Sequence, residues 1–181
     1  ANVCAAGFLI ENEHPALYRI HAGPSEEKLD GLRAMLKDFA LQLPGGKQPK
    51  PADYSALLAK IKERPDAPLL QTVLLRSMKQ AVYSPDNIGH FGLSYDAYTH
   101  FTSPIRRYPD LVVHRVLGLH LAKSSGGAAA GYDLPRVERL GEHLSITEIN
   151  STEAERDSVK VKLLEFFERE LEKTPKTRFD A

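Results

Sequence analysis

Cysteine is almost absent from this chain: Cys4 is the single thiol in 181 residues. One cysteine excludes an internal disulfide framework and fits a reducing compartment, so a cytoplasmic location is expected. Net charge is missing as well. Lys plus Arg and Asp plus Glu number 24 each, for a formal net charge of +0. The chain is therefore no basic nucleic-acid module by bulk charge, and any grip on a polyanion must come from a local patch or from parts of the protein outside these residues. No apolar run has transmembrane length and no segment has the build of a signal peptide, so no membrane association is expected. Metal-ligand spacing is lacking too. His114 and His120 share a segment, but six residues apart they do not face each other on a helix; His90 and His100 stand separately, and no HxxxH or HExxH pattern occurs. The aspartates, from Asp30 to Asp180, are scattered. No local carboxylate nest is visible that would hold a divalent cation.

What is present is a chain long enough for a real core, with helical periodicity over most of its length. Residues 1–10 are apolar and Ala-rich without a cap, and read as the latter part of a buried helix. Residues 18–21 are a short extended piece. Ser25 is a good N-cap followed by Glu26 and Glu27, and Leu29, Leu32, Leu36, Phe39, Ala40 and Leu43 extend a helical stripe over residues 26–43. Pro44-Gly45-Gly46 stops it. Residues 52–63 predict a helix with Tyr54, Leu57, Leu58 and Ile61 on one face, and residues 67–81 another, using Leu70, Val73, Leu74 and Met78. Residues 83–87 read as a turn-rich loop, and residues 89–98, alternating and aromatic, as a strand. A helix is expected from Ser103 to about Lys123, bent near Pro109. The low-complexity SSGGAAAG stretch at 124–131 is a loop, not a domain boundary. Asp133 caps a helix to about His143, and a charged helix follows over roughly 146–173. Glu165 can pair there with Arg169, whereas Glu168 and Glu172 repel. The fold class expected is α+β, mostly helical, with a few strands of a larger mixed sheet.

Residues 90–115, HFGLSYDAYTHFTSPIRRYPDLVVHR, carry the chemistry. Ser103 as N-cap and Pro104 at the first helical position would leave free backbone donors at a positive helix end, with Arg106 and Arg107 beside them. Such a spot suits an anion, phosphate above all. Arg106 has two readings: a guanidinium on a phosphate, or an ion pair with Asp110 one turn on. Arg107 points about 100° away on a helix and reads equally as a structural salt bridge or a phosphate contact. Arg115 and His114 are expected to be structural. Phe91, Tyr95, Tyr98, Phe101 and Tyr108 could stack on bases, although clusters like this more often form core.

HFGL, the Tyr-rich stretch, HFTSPIRRYPDL and VHR together resemble the signature of the ribonuclease II/ribonuclease R family of processive 3′-to-5′ exoribonucleases. ANVCAA at residues 1–6 is similar to a second family segment at fitting separation. RRYPDLVVHR and YRIHAGPSEEK bring the chain closer to the ribonuclease R branch. The resemblance covers essentially the whole chain. It implies the C-terminal half of the family's catalytic domain over residues 1–173, and at 174–181 the start of a linker or strand into an OB-type RNA-binding barrel. It implies a parent enzyme that hydrolyses RNA to nucleoside 5′-monophosphates, with Mg²⁺ on aspartates upstream of ANVCAA. It makes Arg106 catalytic and, by AERD, points to Glu155; with the helix-start chemistry above, Ser103, Arg106, Arg107 and Glu155 are the RNA-binding residues expected. None of these is a metal ligand. The expected partners are RNA and the parent's N-terminal half and OB-type domains. The chain opens inside a family motif without Met, reads as a fragment and is expected to be inactive alone, with self-association through apolar residues 1–10. Two alternatives belong to other classes: a non-catalytic RNA-binding or scaffold piece of a split or degenerate family member, and an unrelated helical metal enzyme.

Overall fold

The computed structural model describes residues 1–124 and 131–174. It divides into two units, Ala1–Glu142 and the residues from His143 on. In the first unit the order is α1 (Asn2–Glu11), β1 (Tyr18–Ile20), α2 (Glu26–Asp38), α3 (Pro51–Ile61), α4 (Ala67–Ser77), β2 (Val82–Ser84), a single 3-10 turn at Phe91–Leu93, α5 (Tyr108–Ser124) and the opening turns of α6 (Leu134–Lys173).

Helices α2, α3 and α4 form one apolar body. Leu29, Leu32, Leu36, Leu43, Tyr54, Leu57, Ile61, Ala67, Leu70 and Leu74 are buried together. Ser25 caps α2 by accepting from the Lys28 N–H at 3.4 Å. Pro51 opens α3, where a missing N–H costs nothing, and the Asp53 carboxylate accepts from the Lys50 N–H at 2.7 Å. Leu58 falls outside the buried face, 37% exposed, because it follows Leu57 by 100° of helix.

Two helices end before their apolar stripes do. Helix α2 stops at Asp38, not at residue 43 as the stripe predicts. Ala40 takes φ 54°, the Ala40 N–H bonds the Lys37 carbonyl at 3.0 Å, and the Leu41 N–H bonds the Leu36 carbonyl at 2.9 Å. That is a Schellman ending with alanine at the left-handed position where glycine is usual. Leu43 then reaches the same core from outside the helix. Helix α4 stops at Ser77, with Met78 extended, short of the predicted residue 81. The residues after it form β2 where a loop was expected.

The second core joins α1, β1 and α5 through Ala6, Leu9, Ala16, Tyr18, Val113 and Val116. Strands β1 and β2 pair antiparallel, with Arg19 opposite Tyr83. Gly141 of α6 lies against β2; a Cβ there would sit 2.8 Å from the Tyr83 carbonyl oxygen, so only glycine permits that approach.

Residues 89–98 do not form the predicted strand. The His90 N–H bonds the Tyr95 carbonyl at 2.8 Å, which folds the segment back on itself. His90 Nδ1 accepts from the Leu93 N–H at 3.2 Å, and Ser94 takes φ 56° to close the turn. Several of its outward hydrogen bonds go to His21: the His21 N–H donates to Gly89 O at 3.0 Å, and the Phe91 N–H to His21 O at 2.8 Å. The Gly92 N–H donates to His21 Nδ1 at 2.9 Å, an approach that a side chain at residue 92 would block. Alternation of aromatics therefore signals turn packing here, with Phe91 edge-on to Tyr54 of α3 at 5.6 Å.

The second unit is the stretch of α6 from His143 to Lys173. The break predicted between residues 143 and 146 is absent. No Gly or Pro interrupts that stretch, and Thr147 Oγ1 bonds back to the His143 carbonyl at 3.0 Å, a mid-helix pattern. Asp133 caps the helix start, its carboxylate accepting from the Arg136 N–H at 3.0 Å. Lys162 and Glu165 pair at 2.9 Å, and Arg169 reaches Glu165 at 3.9 Å. Val159, Leu163, Leu164 and Leu171 of the predicted stripe are exposed within this unit. The loop predicted at 124–131 falls, for residues 125–130, outside the described residues, as does the predicted linker beyond Thr174.

Candidate functional site

Residues 98–110 run from β1 to the start of α5, and polar bonds fix them nearly residue by residue. The Tyr98 carbonyl accepts from the Arg19 N–H at 2.8 Å, and its hydroxyl from Asn2 Nδ2 at 2.8 Å. Thr99 is buried and donates its hydroxyl to the Leu17 carbonyl at 2.6 Å. His100 Nδ1 lies 2.9 Å from the Tyr83 hydroxyl. The Phe101 N–H donates to Asn2 Oδ1 at 3.2 Å; its carbonyl pairs with His114 Nε2 at 2.8 Å, and the two rings stack at 4.3 Å. His114 is thus structural, as its position suggested. Arg115 reaches the Tyr108 hydroxyl at 3.2 Å, also structural.

The turn at 103–107 differs from the predicted helix start. Helix α5 begins at Tyr108, and residues 104–106 form a turn ahead of it. Ser103 is not a side-chain N-cap. Its N–H donates to Asp110 Oδ1 at 2.8 Å, while its carbonyl accepts from the Arg106 N–H at 3.3 Å and the Arg107 N–H at 3.1 Å. The Ser103, Arg106 and Arg107 backbone donors at this turn are therefore taken. The dipole of α5 meets its own carboxylate, Asp110, in the first turn. Pro109 stands in that first turn too, where a missing N–H is tolerated, so it does not bend the helix interior.

This turn sorts the two arginines. Asp110 is fully buried and pairs with Arg107 at 2.8 Å, not with Arg106. Arg107 is half-buried and engaged. Arg106 is exposed, and no hydrogen bond or ion pair engages its guanidinium among the described residues. Beside it Ile105 is 98% exposed. The turn thus presents one unspent cation and one bare apolar side chain at its tip. Ser103, Arg106 and Arg107 are brought together; Glu155 lies exposed on the second unit.

Behind the turn the charge is arranged so that His100 stays neutral. Burial, then the positive charges of Arg107 and Arg19, push its pKa down to about 4. Arg19 lies over the Tyr83 ring at 4.5 Å. His90 is lowered as well, by burial and by His21. The histidines are thus ring packing and hydrogen-bond partners. Among the described residues no three His, Cys, Asp or Glu side chains gather in a way that could hold a metal ion. Those present do not fit a Mg²⁺ site. The sequence reading overlooked Asp110, Thr99 and Asn2 as organisers of the segment. Asp110 carried a readable signal, an acidic residue just after Pro109 in a first helical turn, but Asn2 lies too far along the chain for any local pattern.

The family model for the RNB domain matches residues 1–123, and the chain belongs to that family. Within it the chain is similar to ribonuclease R. It is 48% identical over 164 residues to ribonuclease R of Escherichia coli K12, covering 87% of this chain and 20% of that protein. It thus spans about a fifth of that relative's length. Mycoplasma genitalium RNase R, solved in complex with ribose-methylated single-stranded RNA, superposes with a TM-score of 0.76 at 30% identity, covering 86% of this chain and 25% of that one. Yeast Ssd1, described as a pseudonuclease, superposes with a TM-score of 0.66 at 25% identity, covering 79% and 18%. Among the described residues no helix is long and apolar enough to cross a membrane.

Proposed function

We propose that this chain is the C-terminal part of the catalytic domain of a 3′-to-5′ exoribonuclease, and that Arg106 contacts the phosphate being cut. The observation that carries the reading is the unspent Arg106 guanidinium on a turn whose other charges are already paired. Water attacks the terminal phosphorus, the P–O3′ bond breaks, and a nucleoside 5′-monophosphate leaves while the shortened RNA keeps a 3′-hydroxyl. Negative charge grows on the phosphoryl oxygens during attack. A fixed guanidinium binds that charge more strongly than the ground state, which is where rate acceleration comes from. Ser103 shapes the turn through its backbone, and Arg107 supports it while adding positive potential. Glu155, exposed on α6 in the second unit, belongs to the proposed RNA-binding residues by the AERD resemblance alone. Mg²⁺ belongs to the proposal as a cofactor held by residues outside this chain, so the chain alone is inactive. The remaining catalytic half, an OB-type barrel and the cytoplasm as setting belong to the same reading. Val3, Phe8 and Ile10, each more than a third exposed on α1, make self-association of the isolated chain part of it.

The similarity to a pseudonuclease and the lack of a carboxylate cluster among the described residues favour one second reading, an RNA-holding piece without catalysis. A chimaera separates the two. This chain replaces the matching segment of the Escherichia coli relative, and the purified protein is given single-stranded RNA with Mg²⁺. Release of nucleoside 5′-monophosphates from the 3′ end supports the enzyme; RNA binding without release supports the second reading.

A further inference from the structure

We propose that Asp110 is the positioning residue of this site: its buried carboxylate fixes the turn at 103–107, occupies Arg107, and so leaves Arg106 aimed at phosphate. The inference rests on the function proposed above and concerns a residue to which neither the resemblance nor that function assigns a role. One oxygen, Oδ1, receives both the Ser103 N–H and the Arg107 guanidinium, each at 2.8 Å. The carboxylate thereby ties the first residue of the turn to the last and anchors both to the first turn of α5.

The geometry of the pair is telling. Arg107 Nε and Asp110 Oδ2 are both buried and both lack a partner. A fork-to-fork contact between the same two side chains would satisfy both atoms and bind more strongly. The end-on contact leaves a buried donor and a buried acceptor unmade, which costs free energy. Stability of the pair alone does not select that arrangement. Holding Ser103 by the same oxygen does, because a carboxylate turned to face the guanidinium squarely gives up its aim at the Ser103 N–H. The favoured contact is therefore the one that shapes the turn.

Asp110 also decides which arginine is spent. It stands three residues after Arg107 and four after Arg106, and either spacing allows an ion pair on a helix. Because α5 begins only at Tyr108, Arg107 is beside the helix and within reach, while Arg106 stays on the turn.

The test measures kcat, KM and melting temperature in the active chimaera for Arg106→Ala, Asp110→Asn, the two combined, and the neutral pair Asp110→Asn with Arg107→Gln. Asp110→Asn is expected to lower kcat about ten- to a hundredfold, as misplacement of a catalytic group does, with KM within about twofold. Added to Arg106→Ala it costs less than about twofold more, because both act through one guanidinium. The neutral pair removes the unpaired Arg107 charge that the single change leaves buried, so it keeps the test alive if Asp110→Asn does not fold. Its kcat is expected to stay at least about tenfold down at a near-wild-type melting temperature. Equal losses from Asp110→Asn with and without Arg106, or wild-type kcat in the neutral pair, overturn the inference. Unchanged turnover in Arg106→Ala overturns the proposed function instead.

Discussion

The three-helix body of residues 26–77 and the site segment of residues 89–110 lie in one unit but are specified by different forces. The first is held by leucines: ten buried residues, of which Tyr54 alone carries a polar side-chain atom, define its core. The second places a threonine and an aspartate among the most completely buried side chains of the chain and spends them on backbone groups. Apolar packing is forgiving of detail, since any side chain of about the right size contributes. Hydrogen bonds to fixed backbone atoms are not forgiving, and that is what aiming one guanidinium requires. The body supplies stability, and the segment supplies geometry.

Breaking the body has the largest expected effect. Leu70→Ala removes a fully buried side chain of α4 and should cost about 2–5 kcal/mol, read as a fall in denaturation midpoint. Hydrogen exchange sharpens the contrast, because α2, α3 and α4 should lose protection together. Loss confined to α4 would show that the three helices are not one body.

Mild acid, between about pH 4 and 6.5, acts on the segment through its histidines, and residues 26–77 contain none. His100 has its folded-state pKa depressed to about 4, so in the range between there and its ordinary 6.5 the unfolded chain takes the proton first. Its contribution is fully present above about pH 6.5 and is lost as pH falls towards 4. His90 and His14 are lowered in the same direction. The loss at His100 is on the order of 2 kcal/mol once solvent screening of a half-buried ring is allowed for. His100→Gln should flatten the melting-temperature profile over this range. An NMR titration of His100 with its midpoint near 6.5 would refute the burial argument.

The smallest effect strengthens the body. Ala40→Gly relieves a left-handed alanine at the end of α2 and should stabilise the chain by roughly 0.5–1 kcal/mol. A lower melting temperature for this variant would contradict the Schellman ending.

The same division explains what could be read from the sequence. Helical periodicity and the Ser25 and Asp133 caps are local, and they located the helices. The ends of α2 and α4 were overrun because Leu43 and Met78 join the same core after the helix has finished. The strand expected at 89–98 fails because alternation says nothing of what the backbone bonds, and here His21, some seventy positions earlier, takes those bonds. At the site, the motif sets Arg106 and Arg107 side by side, and the structure places both on one turn. It did not show which would be free, since that depends on where α5 begins and on which arginine Asp110 reaches. Asn2 and Thr99 are legible only in three dimensions, their partners lying 99 and 82 residues away.

The most direct measurement is single-turnover hydrolysis of a 5′-labelled RNA by the chimaera carrying Arg106→Ala, beside the dissociation constant of the same RNA under the same salt. A guanidinium that binds charge developing in the transition state predicts a rate down by about a hundredfold or more with affinity within about threefold. A rate near that of the unsubstituted chimaera, or a loss of affinity matching the loss of rate, would contradict it.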